Sequence, residues 1–345
     1  MPKKILHIIN KSSYDGVTSY TIRLIKHLPQ YDHEILSCYK GDADEEIDAL
    51  NINSVSLLNK RSINYRHLLL KYIKMIKFLR KNRYDIIHYH NGGIGVLLLV
   101  TIFRKKALII HHLHSGNLIG DNSQQNISII HLLLLKIISK LTNQVAVADH
   151  VFEEYKSKVE STENLKLIKN SVPYSFQKKE SISNSVGYIG RFTEEKGFQT
   201  FLFLSEKLKT CQQKLNIVAM GETKTNSKYV KLIPPSFSIQ KFYKQIDLLM
   251  FLSTAPEGLP LVILEAISFD VGVITYPLQG VVEILGDDYP LYMKDKNDLF
   301  PKVSKYYSLE FDLPALSKFH KERSVMFNFA KMINSIDDLY QNLIV

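Results

Sequence analysis

The chain has 345 residues, 45% hydrophobic and 23% charged, a folded globular composition in a chain too long for one ordinary core. Its two cysteines, Cys38 and Cys211, lie far apart and outside any metal-binding spacing, which excludes a disulfide scaffold and a structural zinc site and suits a reducing cytosol. The net charge of +10 is uneven: residues 1–172 carry 24 Lys+Arg against 15 Asp+Glu and residues 173–345 carry 20 against 19, so the first half could face phosphates, nucleic acid or an anionic bilayer.

The N-terminus, Met1 to Asn10, lacks the apolar region and cleavage site of a signal peptide. Short β-rich runs then alternate with helical patterns, which predicts parallel sheets built from βαβ units. The first strands are expected at Lys4–Ile9, His33–Tyr39, Val55–Leu58, Asp85–His90, Ala107–Leu113 and Gln144–Ala148, with helices such as Thr18–Leu28 and Tyr65–Leu79 between them. The Asp42-Ala-Asp44 triplet resembles an Asp-x-Asp metal motif, but Glu45, Glu46 and Asp48 beside it read as solvated surface.

From Lys60 to Arg83 there are nine basic residues and no acid. Leu69, Tyr72, Ile73, Ile76 and Leu79 fall at helical spacing, so a stripe should cover the sheet while the basic side faces outward. Such a surface could bind an anionic membrane, with the apolar segment Ile127–Leu141 adding contact. No segment reads as a span: the longest candidate, Ile86–Phe103, is interrupted by His88, His90, Asn91 and two glycines.

Histidines gather at His88, His90, His111, His112 and His114. Strand alternation puts His112 and His114 on one face and His111 on the other. No Cys, Asp or Glu nearby completes a ligand set, so no metal is expected. One of them would serve a cleft and the rest would pack.

The polar stretch Pro173–Ser185 reads as an inter-domain linker. A second series of strands follows at Val186–Ile189, Leu215–Ala219, Tyr229–Ile233, Asp247–Leu252 and Val271–Tyr276, with helices at Gly197–Leu208 and Leu261–Phe269. Ser324–Leu343 reads as one closing helix. Two doubly wound domains of this kind, facing each other, bind ligands at a cleft between their carboxyl-end loops.

Two segments of the second half carry chemistry. In Gly190-Arg191-Phe-Thr-Glu-Glu-Lys196-Gly197, a strand, a glycine, a basic loop and a helix start form a phosphate-binding arrangement, the bland alternative being a polar βα loop. In Ala255-Pro-Glu257-Gly258-Leu259-Pro260-Leu261-Val262-Ile-Leu-Glu265-Ala266, two carboxylates flank a strand-to-helix turn. Pro260 suits the first helical position, and the amides of Leu261 and Val262 would face an anion such as a diphosphate. Glu265, near the helix start, could take two hydrogen bonds from a ribose diol, with Glu257 on the loop closer to a sugar. The bland alternative is a solvated loop acid plus a glutamate stabilising a helix N-terminus.

These two motifs in this order resemble the retaining GT-B glycosyltransferases of family 4, also called group 1, of the bacterial surface-polysaccharide type. Asn170-Ser171-Val172, Leu215–Gly221, Tyr243-Lys-Gln-Ile-Asp247 and Gly280-Val-Val-Glu283 match as well, covering the second half. Asp15-Gly16-Val17, Asp85-Ile-Ile-His88 and His112-Leu-His114-Ser115 match more loosely in the first. The resemblance implies an α/β GT-B fold of two facing Rossmann-like domains: an acceptor domain at 1–172, a donor domain at 173–323, and a terminal helix at 324–345 packing back on the first. It implies that Arg191 and Lys196 bind the diphosphate, Glu265 the ribose and Glu257 the donor sugar. Gly190, Gly258, Leu259, Pro260, Leu261 and Val262 would complete the donor site. Gly16 would let the first loop approach the phosphates, and His114 would lie in the cleft by the sugar.

Two features depart from the family pattern. The first loop has one glycine where two adjacent ones are common, and Pro234-Pro-Ser-Phe237 replaces a small-residue turn near the base, leaving the nucleobase open. The implied reaction is transfer from a nucleotide sugar, UDP-linked by preference, to a glycan or lipid-linked acceptor, with no metal cofactor and no nucleic-acid partner. Alternatives are an epimerase or phosphorylase of the same fold, separable by an acceptor-free assay, and a non-catalytic basic nucleic-acid- or glycan-binding protein, recognisable by salt-dependent oligonucleotide binding.

Overall fold

The computed structural model describes residues 2–62, 64–90, 93–115, 129–159, 162–211, 214–221, 227–236, 238–308 and 310–344. The chain divides into two compact units, one of residues 1–169 with 330–345 and one of residues 170–329.

The first unit is wound on seven parallel strands: β1 (Lys4–Lys11), β2 (Asp32–Tyr39), β3 (Asn53–Leu58), β4 (Ile86–His90), β5 (Leu108–Leu113), β6 (Asn143–Ala146) and β7 (Leu165–Leu167). Their order is β3-β2-β1-β4-β5-β6-β7. The order reverses between β1 and β4, so the crevice of this unit opens at their carboxyl ends. Helices α1 (Gly16–His27), α2 (Asp44–Asp48), α3 (Tyr65–Lys81), α4 (Ile94–Phe103), α5 (Ile129–Leu141) and α6 (Asp149–Lys158) connect the strands. Asp15 caps α1 by accepting from the Thr18 amide at 2.9 Å, which fixes the turn after β1.

The acidic segment at 42–48 is not merely solvated surface. Asp44 accepts from the Ser12 hydroxyl, Asp42 accepts from the Tyr14 amide at 3.3 Å, and the Gly41 amide donates to Ser12 Oγ at 2.8 Å. These bonds brace the loop after β1. Asp44 is spent on that loop.

The register pairs His7 with His88 and His90 with His112, and alternation then carries histidines onto one face of the sheet. His7, His33, His88, His90, His112 and His114 meet there in contact with Tyr20 and Tyr340. An ordinary α/β sheet places aliphatic side chains in this layer. His111 points to the other face, against Tyr89 and Tyr155.

Helix α3 is rotated from the orientation that the stripe predicted. Lys71, Met75 and Leu79 are its buried residues, whereas Leu69 is 46% exposed and Ile73 40%. Lys71 can be buried because its stem packs inward while the ammonium lies over the rings of Tyr39 and Tyr72, 5.6 and 4.9 Å from their centroids. Helix α5 likewise turns Ile129 (77% exposed), Ile130, Leu133 and Ile137 outward. Residues 127 and 128 of the predicted apolar segment lie outside the described residues.

The second unit has five parallel strands, β8 (Ser185–Ile189), β9 (Asn216–Met220), β10 (Lys231–Ile233), β11 (Leu248–Phe251) and β12 (Gly272–Thr275), in the order β10-β9-β8-β11-β12. Its helices are α7 (Phe198–Cys211), α8 (Gln240–Gln245), α9 (Leu261–Ser268), α10 (Gln279–Leu285), α11 (Leu299–Tyr306) and α12 (Leu313–Met326). The order reverses between β8 and β11, so the loops leaving these two strands flank this unit's switch point.

Residues 173–184 are not a free tether. Asp247, fully buried, accepts from the amides of Ser183 and Ser185, and Lys179 reaches the Ile246 carbonyl at 2.5 Å. The polar side chains that mark a linker are here the means of strapping the segment to the unit. The closing helix is also broken, into α12 and α13 (Phe329–Ile344). The break at Phe327–Asn328 lies just before the chain leaves the second unit after Phe329, and Ser171 Oγ donates to the Phe327 carbonyl at 2.5 Å.

Candidate active site

The two chemistry-bearing segments meet at the switch point of the second unit. Strand β8 delivers the loop 190–197, pinned from below by Tyr188, whose hydroxyl lies 2.8 Å from the Arg191 carbonyl and 3.2 Å from that of Lys196. Strand β11 delivers residues 252–260. The Thr254 amide donates to the Glu195 carbonyl at 3.0 Å and stitches the two loops together. Gly197 has φ +73, and a Cβ there would stand 2.4 Å from the Leu252 carbonyl oxygen, so this crossing needs glycine.

Lys196 is thereby brought onto Glu257, with which it forms an ion pair. The same carboxylate oxygen accepts from Ser253 Oγ at 2.6 Å. Both partners are largely shielded from solvent, which strengthens the pair and fixes its geometry. Arg191 is more exposed and pairs with Glu195 at 2.6 Å. A surface pair of that kind contributes about 0.2–1 kcal/mol, so the guanidinium can exchange Glu195 for an anionic ligand at small cost.

Pro260 stands one position earlier than expected, as the N-cap of α9 with ψ 114, and Leu261 is the first helical residue. The amides of Leu261 and Val262 lead the helix, where no intrahelical acceptor exists. Glu265 is fifth in the helix and buried, and its Oε2 accepts from the Tyr243 hydroxyl at 3.1 Å. Glu265 therefore stands one turn inside the helix, behind its first turn. Asn170 holds the Leu259 carbonyl at 3.2 Å. Gly280, near the start of α10, comes so close that a Cβ would lie 1.5 Å from the Gly258 carbonyl oxygen. Gly190, at φ +146, opens the first loop.

Lys196, Glu257, Gly258, Leu259 and the head of α9 therefore form one constellation, with Arg191 on the adjoining loop and Glu265 one turn deeper. Ser253, Tyr243 and Asn170 support it. Tyr243 and Asn170 stood in the matched segments without a role assigned, and Ser253 carries no sequence signal of its own. Phe237 of the segment 234–237 lies outside the described residues.

In the first unit, Gly16 begins α1 directly behind the Asp15 cap. His114 follows β5, half-buried, with its Nε2 3.1 Å from His90 Nδ1. Acids and cysteines prove unnecessary for a close ligand set: ring nitrogens of His7, His88 and His90, and of His90, His112 and His114, lie within 4.8 Å of one another. His7 and His33 went unnoticed in the sequence because β1 and β2 lie far from the other histidines along the chain.

Residues 14–175 match the family Glycosyltransferase Family 4, and residues 174–299 match Glycosyl transferases group 1. A 41.2 kDa Klebsiella pneumoniae protein, described as uncharacterized and in a cps region, is 21% identical over 319 residues, covering 83% of this chain and 87% of its own. Anabaena Alr3699/HepE, solved in complex with UDP and glucose, superposes with a TM-score of 0.76 at 15% identity, over 98% of this chain and 99% of that one. The pneumococcal O-GlcNAc transferase GtfA, solved with UDP and GlcNAc, gives 0.75 at 10% identity over 99% of both chains. With two parallel sheets, the matching folds and both families covered in sequence, the chain is a GT-B glycosyltransferase of the family 4 and group 1 type.

Proposed function

We propose that this enzyme transfers a hexose from a UDP-sugar to a hydroxyl of a glycan or lipid-linked saccharide, with retained anomeric configuration and without a metal, in cell-surface polysaccharide or glycoconjugate synthesis. The observation that carries the reading is the meeting of Lys196, Glu257 and the head of α9 at the β8/β11 switch point. UDP as the leaving group is supported by the nucleotide held in the HepE and GtfA structures.

In this reading the diphosphate lies against Arg191, Lys196 and the Leu261 and Val262 amides. An ammonium has three hydrogens, so Lys196 can keep Glu257 and still donate to a phosphate oxygen. Glu265 takes the ribose hydroxyls, and Glu257 takes a hydroxyl of the sugar. As the anomeric carbon–oxygen bond breaks, charge builds on the diphosphate, and these fixed cations and dipoles stabilise it. The acceptor oxygen bonds to the anomeric carbon on the same face, and its proton passes to the departing phosphate oxygen. Lys196 and Arg191 thus supply the positive charge that a divalent ion supplies elsewhere. A panel of nucleotide sugars, assayed with a saccharide acceptor mixture, tests the reading. Release of UDP from one donor, undiminished by EDTA, is expected. Release only in the presence of manganese or magnesium would overturn the metal-free chemistry.

The first unit is the proposed acceptor side, docked reversibly on the inner face of the cytoplasmic membrane. No described helix is long and apolar enough to cross a bilayer. Instead α3 sets Leu69, Leu70 and Ile73 outward within an acid-free basic segment, and α5 adds a second exposed apolar stripe. Apolar side chains entering the interface, flanked by cations, bind anionic lipid at about 1 kcal/mol per basic residue. Co-sedimentation should favour anionic over neutral vesicles and weaken with salt. Equal, salt-independent partitioning onto both would contradict the electrostatic part.

A further inference from the structure

Six histidines packed on one sheet face have donor and acceptor roles that can be solved from one end. His33 Nε2 lies 2.8 Å from the Leu28 carbonyl oxygen, which can only accept, so Nε2 carries the hydrogen. A neutral imidazole has one N–H, so His33 Nδ1 is bare and accepts from His7 Nε2 at 3.0 Å. The same step repeats: His7 Nδ1 accepts from His90 Nε2 at 3.0 Å, and His90 Nδ1 accepts from His114 Nε2 at 3.1 Å. Four rings therefore point one way, each in the Nε2–H form.

Neutrality holds because burial disfavours charge, with neighbouring imidazoles adding to it at His7, His90 and His114. His7, His33 and His90 are held below the ordinary range, and His114 is pushed down to about 3. A metal ion is the competing occupant of the cluster. Within the His33–His7–His90–His114 row, however, the close nitrogens face one another through hydrogen bonds, and a shared ion would require those rings to turn away. The neighbouring row, Tyr340–His88–His112, has no fixed sense, because its terminal hydroxyl can donate or accept.

We propose that His33, His7 and His90 are positioning residues that lock His114 in the Nε2–H tautomer and leave Nδ1 as its bare, accepting atom at the carboxyl end of β5. His114 then recognises a hydroxyl, which donates, and rejects phosphate or carboxylate oxygens, which cannot. The assignment to a substrate hydroxyl rests on the reading of His114 as a sugar-facing residue. The tautomer lock does not.

Long-range 15N–1H correlation spectra of the full chain with labelled histidine read the lock directly. His114 should show a protonated Nε2 and a bare Nδ1. His33→Phe, three rings away, frees the sense of the row, so a share of His114 should shift to the Nδ1–H pattern. His33→Gln, which retains a donor for Leu28 and an acceptor for His7, should restore the original pattern. An Nδ1–H signature for His114 in the unaltered protein would overturn the proposal, as would an unchanged tautomer in a folded His33→Phe variant. If the signature is as stated but His114→Ala retains full sugar transfer, the lock stands and the sugar-facing role falls.

Discussion

Acidification through pH 6.5 should unfold the first unit before the second. Seven histidines of that unit, His7, His33, His88, His90, His111, His112 and His114, are held below the ordinary value of 6.5, chiefly by burial, His111 to about 4. Their folded-state affinity for protons is lower than their unfolded-state affinity. Between the two values the unfolded chain binds more protons, so stability is full above 6.5 and is lost as the pH falls below it. Each group contributes up to roughly 1.4 kcal/mol per pH unit, and seven together up to roughly 10 per pH unit, against a total stability of about 5–15 kcal/mol. The second unit holds one histidine, His320, and lacks this steepness. Circular dichroism with hydrogen exchange should show a sharp, multi-proton loss of the first unit, complete by about pH 5. A first unit still intact at pH 4 would contradict the buried, neutral cluster.

Replacement of Glu265 and Glu257 should separate binding from turnover. Glu265 is buried and held by Tyr243, so it is already placed for a rigid partner such as a ribose diol. Two charge-assisted hydrogen bonds are worth at least about 3 kcal/mol, so Glu265→Ala should weaken free UDP on the order of 100-fold. Glu257 sits on the loop with Lys196 and Ser253, and its proposed partner is the sugar. Glu257→Ala should leave free UDP binding within a few-fold and reduce turnover by two orders of magnitude or more. Calorimetry paired with a UDP-release assay checks both. The reverse pattern would show the two carboxylates exchanged in role.

The fold was legible because its signals are local. Strand runs such as Val186–Ile189 and the Leu248–Phe251 part of Asp247–Leu252 are largely apolar on both faces, as buried parallel strands must be, and the glycines at 190 and 197 mark turns that other residues fit badly. What escaped the sequence depends on distant partners. The rotation of α3 was misread because Lys71 counts as polar until Tyr39 and Tyr72 cover it. The histidine layer joins four strands drawn from residues 7 to 114, and no spacing rule links them. The bracing of Ser12 by Asp44 likewise arises between two loops that only the sheet order brings together.

The central claim is that the second unit grips a nucleoside diphosphate with the loop from Gly190 to Gly197. Calorimetric titration of UDP into the unaltered protein, Lys196→Ala and Arg191→Ala measures this directly. A charge-assisted contact contributes about 1.5–3 kcal/mol, so each variant should bind UDP at least ~10-fold more weakly while retaining its fold. Equal affinity in all three proteins would show that the diphosphate, if bound at all, lies elsewhere.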